Sequence, residues 1–558
     1  MRIRTERIDD IPLLVQMLQE MGVEEMIDAV VPRHGNRQGL SAGQVAVGWL
    51  TYMLSESDHR MSFVEAWAGR HLTILQEVLS ADVRDKDFTD DRLGALLSLL
   101  GDDGRWEAIE DRMNQHHLRV FALPQEVVRL DTTTAALYHD AERSALIAYG
   151  HSKDHRPDLA QVKVMVGALD PLAFPLITQP LSGKLADDPL YIPAIERVRE
   201  SAKLRGLLYV GDSKMEKLAT RGHIVQGGDD YLLPLSQKHG QGALLAQFIT
   251  EALQSEETLT ILESKDGEWY IRGREWRRQQ QVALGQERIT WAERLLLVQS
   301  QSLYRKQRRG LESRLQSAIT QILQLTPPPK RGRRQFRELP PLQKQVESIL
   351  RRFRVSDLLH VSYHFEVSEA SGRKGKARYR VEVTRNEEAI QARYATLGWR
   401  LYVTNASQER LPLANAIRLY RGAPPTIERL FSRLKGHPLG LRPVFVRRDD
   451  RIKGLIRLLS IALRTLTLLE FIVHCTLAAQ KETLVGLYPG SPTMTTSRPT
   501  AERLLQAFQS IELTIITLPD QQIQHVTTLS PLQNRILQLL KFSSSIYTNL
   551  AHSEPVPI

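Results

Sequence analysis

The chain has 558 residues, enough for roughly three or four domains at about 150 residues each. Hydrophobic residues make up 42% and charged residues 25%, an ordinary balance that excludes a disordered chain, a collagen and a coiled-coil rod. Lysine plus arginine number 74 against 64 for aspartate plus glutamate, and the net charge of +10 is a mild pointer to a polyanionic partner such as nucleic acid.

Residues 1–125 are expected to be helical throughout. Ile11-Pro12-Leu13-Leu14 opens one amphipathic segment, Ser41 caps a second running to Leu54, and Asp90-Asp91-Arg92-Leu93 starts a third. No apolar run follows the charged opening from Arg2 to Asp10, so no signal peptide is expected.

From 126 the pattern turns to strands. Val127–Leu130 runs into Asp131-Thr132-Thr133-Thr134, with Ala145–Gly150 as its expected hairpin partner. Strand-like runs at Val162–Leu169 and Ala173–Thr178, a helix over Pro189–Ala202 and a buried strand at Leu207–Val210 complete the stretch to 236. Residues 237–395 interrupt it with strands around 258–262, 269–273, 289–298, 359–367 and 377–383, and helices at 302–325 and 341–354. The core resumes at Trp399–Thr404, and a helical stretch follows from Thr426 to Gln480, broken at Gly436-His437-Pro438. Arg457, Arg464 and Glu470 interrupt the apolar run from Leu455 to Ala479, which favours a buried helix over a membrane span. Residues 481–558 are polar with one helix signal near 499–508. The single cysteine, Cys475, excludes an internal disulfide and cysteine-based zinc sites, and fits a reducing cytoplasm.

Three carboxylates stand out. Asp131 and Asp212 each follow an apolar strand, and Glu428 lies in the first turn of a helix after Pro424-Pro425. Carboxylates converging at one sheet edge suit Mg²⁺, which takes oxygen ligands. Two such ions can activate an attacking oxygen and stabilise a leaving one in phosphoryl transfer. Plainer roles stand beside this one. Asp131 suits a turn cap and Glu428 a dipole-stabilising position. At Asp212 a capping box of Ser213 and Glu216 is expected to supply the helix cap instead. Lys435 follows Glu428 by seven residues, two turns on and on the same face.

These residues resemble the DDE-type transposases of bacterial insertion sequences, in the IS-four-like group. The resemblance rests on Leu130–Thr133, Gly150–Asp158, Val210–Ser213, Ile427–Phe431 with Lys435, and Arg442–Arg447. It implies an α/β fold: an RNase H-like mixed-sheet catalytic core (126–236 and 396–480) interrupted by an α+β basic insertion (237–395). A helical N-terminal domain (1–125), expected to bind DNA, and a C-terminal segment (481–558) flank it. The implied activity is metal-dependent DNA strand cleavage and strand transfer. Asp131, Asp212 and Glu428 would be catalytic and bind two Mg²⁺, with Mn²⁺ as substitute, while Lys435, Arg421 and Tyr420 would contact DNA. The implied partners are double-stranded transposon ends and target DNA, met as a homodimer on the bacterial nucleoid and away from membranes. One departure is visible: the group places Tyr seven and Arg four residues before the Glu, whereas Tyr420 is eight before, Arg421 seven, and Pro424 holds the Arg place. Two other readings stay open, a catalytically inactive or domesticated DNA-binding descendant and an RNase H-like nuclease without strand transfer.

Three basic runs in the insertion are candidate phosphate contacts: Arg305–Arg309; Lys330, Arg331, Arg333 and Arg334; and Arg373, Lys374 and Lys376. Trp269 and Trp276 among arginines add stacking surface, with core packing as the plainer role. His151 and His155 would share a helix face, but Arg156-Pro157 argues for a loop.

Overall fold

The computed structural model describes residues 1–31, 39–236, 241–255, 259–265, 268–328, 336–367, 377–421 and 426–555. The fold is mixed α/β and divides into two compact units. The first comprises 1–231, 281–289 and 421–558; the second comprises 232–280 and 290–420. The strand Trp399–Thr404 falls in the second unit.

In the first unit the strand Val127–Leu137 is central. It pairs antiparallel with Ala160–Leu169, which pairs antiparallel with Phe174–Ser182. On its other edge it pairs in parallel with Leu208–Gly211. Every residue of Ala160–Leu169 is buried, so side chains on both faces are covered. The helix Tyr191–Ala202 packs against this sheet, and the helix Asp103–Val120 packs against Tyr191–Ala202. The 32-residue helix Asp449–Gln480 lies on Phe174–Ser182 and on the helix Asp90–Gly101. These two helices approach through glycines: a Cβ on Gly101 would sit 2.1 Å from the Asp450 carbonyl oxygen, and one on Gly454 2.0 Å from that of Leu97.

Several expectations are corrected. Residues 1–125 are not helical throughout, because Arg2–Arg7 is a strand paired with Glu512–Thr517. Ala145–Gly150 is not a strand; only Ala148 bridges to Gln161, and Ala160–Leu169 is the true antiparallel partner. The helix from Thr426 breaks after Lys435, as Gly436-His437-Pro438 indicated, but the break is longer than expected and the next helix begins only at Asp449. The C-terminal segment carries more than a helix near 499–508, including the strands Glu512–Thr517 and Gln521–Val526 and the helix Pro531–Leu540.

In the second unit, Trp399–Thr404 pairs antiparallel with Glu287–Ser300 and with Leu232–Pro234. The helices Gln301–Leu325 and Leu339–Phe353 and the hairpin of Leu359–Val367 with Ala377–Arg385 enclose a core that includes Leu315, Ile322, Leu342 and Val381. Among the described residues no helix is long and apolar enough to cross a membrane.

Candidate active site

Strand register brings the first two acids together. The parallel pairing ends at Leu130 opposite Gly211, so Asp131 and Asp212 are the residues that follow the last pair, Asp131 still within its strand and Asp212 just past the end of its own. Such strands run about 4.8 Å apart, and residues at matching positions face the same side. Asp131 is not at a strand end as expected; it lies within Val127–Leu137, because Thr132, Thr133 and Thr134 continue the strand and are buried.

The two carboxylates are held differently. Asp131 Oδ1 accepts from the Thr132 amide at 2.7 Å and from Lys153 Nζ at 3.2 Å. Burial raises its pKa, the Lys153 ammonium opposes that, and the charge of Asp212 adds to the rise. Asp212 Oδ1 accepts from the Tyr191 hydroxyl at 2.8 Å and the Lys214 amide at 2.9 Å. The expected cap at Ser213 is therefore corrected. Asp212 is itself the N-cap of a 3₁₀ turn, Ser213–Met215, and the following α-helix starts only at Leu218. Tyr191 is fully buried, and burial together with Asp212, Asp131 and Asp187 raises its pKa far above the ordinary tyrosine value. It stays protonated and serves Asp212 only as a donor.

Asp187, Lys153 and Lys163 complete this polar centre. Lys163 ion-pairs with Asp187, and Lys153 Nζ lies 3.9 Å from the same carboxylate. Burial pushes the Asp187 pKa up, but the Lys163 bond and the two ammonium charges outweigh it, and the net shift is downward.

Glu428 and Lys435 lie on the helix Thr426–Lys435, which packs against the Asp131 strand. Its apolar face buries Ile427, Leu430, Phe431 and Leu434. Arg429 and Arg433 both reach Glu470 at 2.5 Å, and Arg433 also reaches Glu502 at 2.7 Å. Lys435 Nζ bonds Asp154 at 2.8 Å and lies 3.5 Å from the Thr134 carbonyl oxygen. Glu428 is exposed. Among the described residues no cluster of three or more His, Cys, Asp or Glu that could hold a metal ion is found. Asp131 and Asp212 offer carboxylate oxygens of the kind a hard divalent cation takes, along with water and phosphate oxygens.

Tyr420 and Arg421 end the helix Leu413–Arg421, and the Tyr420 ring lies 4.8 Å from that of Tyr402. Lys330, Arg331, Arg333, Arg334, Arg373, Lys374, Lys376 and Pro424 lie outside the described residues. Arg305, Arg308 and Arg309 share a helix face and, with Arg272, Tyr304 and Tyr394, line a cavity of about 1200 Å³ in the second unit. Trp276 packs on Phe248 at 4.8 Å. His151 and His155 lie in a loop, as Arg156-Pro157 indicated. Tyr191, Asp187, Lys163, Lys153 and Asp154 carry no assigned role in the sequence reading. The signal for the last two is their place in the polar stretch Gly150–Asp158, one of those that carry the resemblance.

Residues 3–110 match a family model described as a domain of unknown function (DUF4277). No curated protein matches the chain. Among solved structures, a synaptic complex of piggyBac transposase with hairpin DNA is similar over 89% of this chain and 79% of that one, at 8% identity and a TM-score of 0.35.

Proposed function

We propose that the protein is a transposase, an RNase H-like enzyme that cleaves DNA at the ends of an insertion sequence and joins the freed ends to target DNA. The observation that carries this reading is the Asp131–Asp212 pair, two like charges that follow the last register pair of two parallel strands. Such a pair is electrostatically costly; Lys153 offsets part of that cost at Asp131, and a divalent cation would offset more. Asp131 and Asp212 would hold Mg²⁺ or Mn²⁺, which when bound would polarise the phosphodiester and activate the attacking oxygen.

The chain's own groups prepare that site. Tyr191 and the Lys214 amide fix one oxygen of Asp212 and leave the other open. The Thr132 amide and Lys153 orient Asp131. Lys435 would hold the DNA backbone, and Arg421 and Tyr420 would also contact DNA. Glu428 would complete the acidic set. From Glu428 to Lys435 the helix rises about 10.5 Å, and from Asp131 to Thr134 the strand rises about 10 Å. Lys435 Nζ lies 3.5 Å from the Thr134 carbonyl oxygen, and a helix running in the strand direction would bring Glu428 to the level of Asp131. Two protomers, one for each element end, would form the active assembly.

The test is incubation with labelled duplexes from the DNA flanking the coding region. Mg²⁺ should yield strands ending in a 3′-hydroxyl and then products joined to target, and a chelator should abolish both. Nicking without joining would favour a simple nuclease. Binding without cutting in either metal would favour an inactive descendant, which the exposure of Glu428 and the altered Tyr-Arg spacing recommend as the second reading.

A further inference from the structure

Two consecutive residues outside the acidic pair touch both halves of the site. Lys153 and Asp154 lie in the loop after Gly150, and their side chains serve different elements. Lys153 faces the strand: Nζ donates to Asp131 Oδ1 at 3.2 Å and to Thr132 Oγ1 at 2.8 Å, while its backbone amide donates to Thr134 Oγ1 at 3.1 Å. Asp154 faces the helix: Oδ1 accepts from Lys435 at 2.8 Å and Oδ2 from Arg442 at 2.9 Å. Only 9% of the Asp154 side chain is exposed, and Lys435 beside it is 16% exposed. The chain leaves this pair through His155 at φ +57°, a backbone state uncommon outside glycine.

Each contact alone is an ordinary ion pair. Together they form a bracket one dipeptide wide. One arm neutralises the carboxylate at Asp131, and the other fastens the last residue of the Glu428 helix. The far side of that helix is already fixed to Glu470, so the Asp154 contact decides how its C-terminal end sits against the strand. The contact also occupies the ammonium group that would otherwise meet a phosphate.

We propose that Lys153 and Asp154 are positioning residues that brace the Glu428–Lys435 helix against the Asp131 strand. Asp154 also keeps Lys435 engaged until a nucleic-acid phosphate displaces it. The bracing stands on the contacts alone, whereas the exchange with phosphate rests on the DNA-processing reading. A phosphodiester near Asp154 competes for Lys435 and Arg442 with the same charge and the same acceptor chemistry. DNA docking and release of the helix end are therefore coupled.

The test uses the full chain in chelator, with Asp154→Asn as variant. The amide keeps the shape and removes the charge. Hydrogen exchange without DNA should quicken about ten-fold or more in the last turn of Thr426–Lys435 and stay unchanged in Asp449–Gln480. Asp154→Glu should restore most of the protection. Unchanged exchange in Thr426–Lys435 overturns the brace. Faster exchange in both helices also overturns it, because the loss is then general.

In the second arm, duplex binding is followed by fluorescence anisotropy against salt. Asp154→Asn should bind several-fold tighter than wild type, with a log–log salt slope steeper by about one to two for the two released cations. In a Lys435→Ala background that gain should shrink. Equal or weaker binding by the variant overturns the exchange of Asp154 for phosphate. If the wild type binds no duplex, the DNA-processing reading fails and takes that exchange with it, while the hydrogen-exchange result still decides the brace.

Discussion

Asp10 makes the pH dependence of stability calculable at one position. It precedes the helix Ile11–Glu20, is 6% exposed, and accepts the Ser55 hydroxyl at 2.6 Å. Burial pushes its pKa up, the Ser55 bond opposes the shift, and the charges of Asp9 and Glu56 add to it. The result is about 7 against an ordinary 3.8. A folded pKa above the unfolded one means that the folded state holds the proton more tightly. The stabilising contribution is therefore complete below about pH 4 and is lost as pH rises through about 7. A gap of roughly three units at 1.36 kcal/mol each corresponds to about 4 kcal/mol, as an order of magnitude. Asp10→Asn keeps the acceptor for Ser55 and carries no charge. Urea unfolding of both proteins at pH 5, 6.5 and 8 isolates the effect, since the other groups titrate alike in both. The variant should gain on the wild type as pH rises and be the more stable at pH 8. A difference that does not change with pH, or a variant weaker at pH 8, would refute the reasoning.

Asp212→Asn should abolish strand cleavage and leave duplex binding in chelator at or above the wild-type level, because a charge that repels phosphate is gone; near-normal cleavage would reduce Asp212 to a turn cap. Arg433→Ala should cost about 3 kcal/mol in urea unfolding, since Glu470 loses one of its two arginines in a largely buried setting; a change within experimental error would mean that Arg429 alone suffices. Replacing Lys330, Arg331, Arg333 and Arg334 by alanine should weaken binding to all duplexes alike and lower the salt slope by about one per lost phosphate contact. A selective loss of element-end recognition would place sequence reading in the insertion.

The sequence made the central strands legible because their apolar runs end in polar residues at Asp131 and Asp212. Asp131 was misplaced by one feature: three threonines look like a turn, yet they are buried and continue the strand. The cap at Asp212 was misassigned because Ser213 and Glu216 have helix-start spacing, whereas the chain makes a 3₁₀ turn there and delays the helix to Leu218. Arg2–Arg7 alternates charge without an apolar stripe, and its partner strand lies some 510 residues on, so no local pattern announces it. The stretch holding Lys153 and Asp154 is part of the resemblance, but their contacts are not local. Their partners Asp131 and Lys435 lie 22 and 281 residues away, and only the fold brings them to adjacent side chains. The spacing of Glu428 and Lys435 placed them on one helix face. It carried no information about where that face ends relative to Asp131.

The most direct measurement is a Mn²⁺ titration followed by the loss of the free-ion paramagnetic resonance signal, for the wild type and for Asp131→Asn, Asp212→Asn and Glu428→Gln. Bound DNA carrying an uncleavable phosphorothioate end would be present throughout. The account predicts saturable binding by the wild type and at least a ten-fold loss of affinity in each variant. Wild-type affinity retained by Asp131→Asn or Asp212→Asn would contradict the assignment of the aspartate pair as the metal site, and retention by Glu428→Gln alone would remove Glu428 from it.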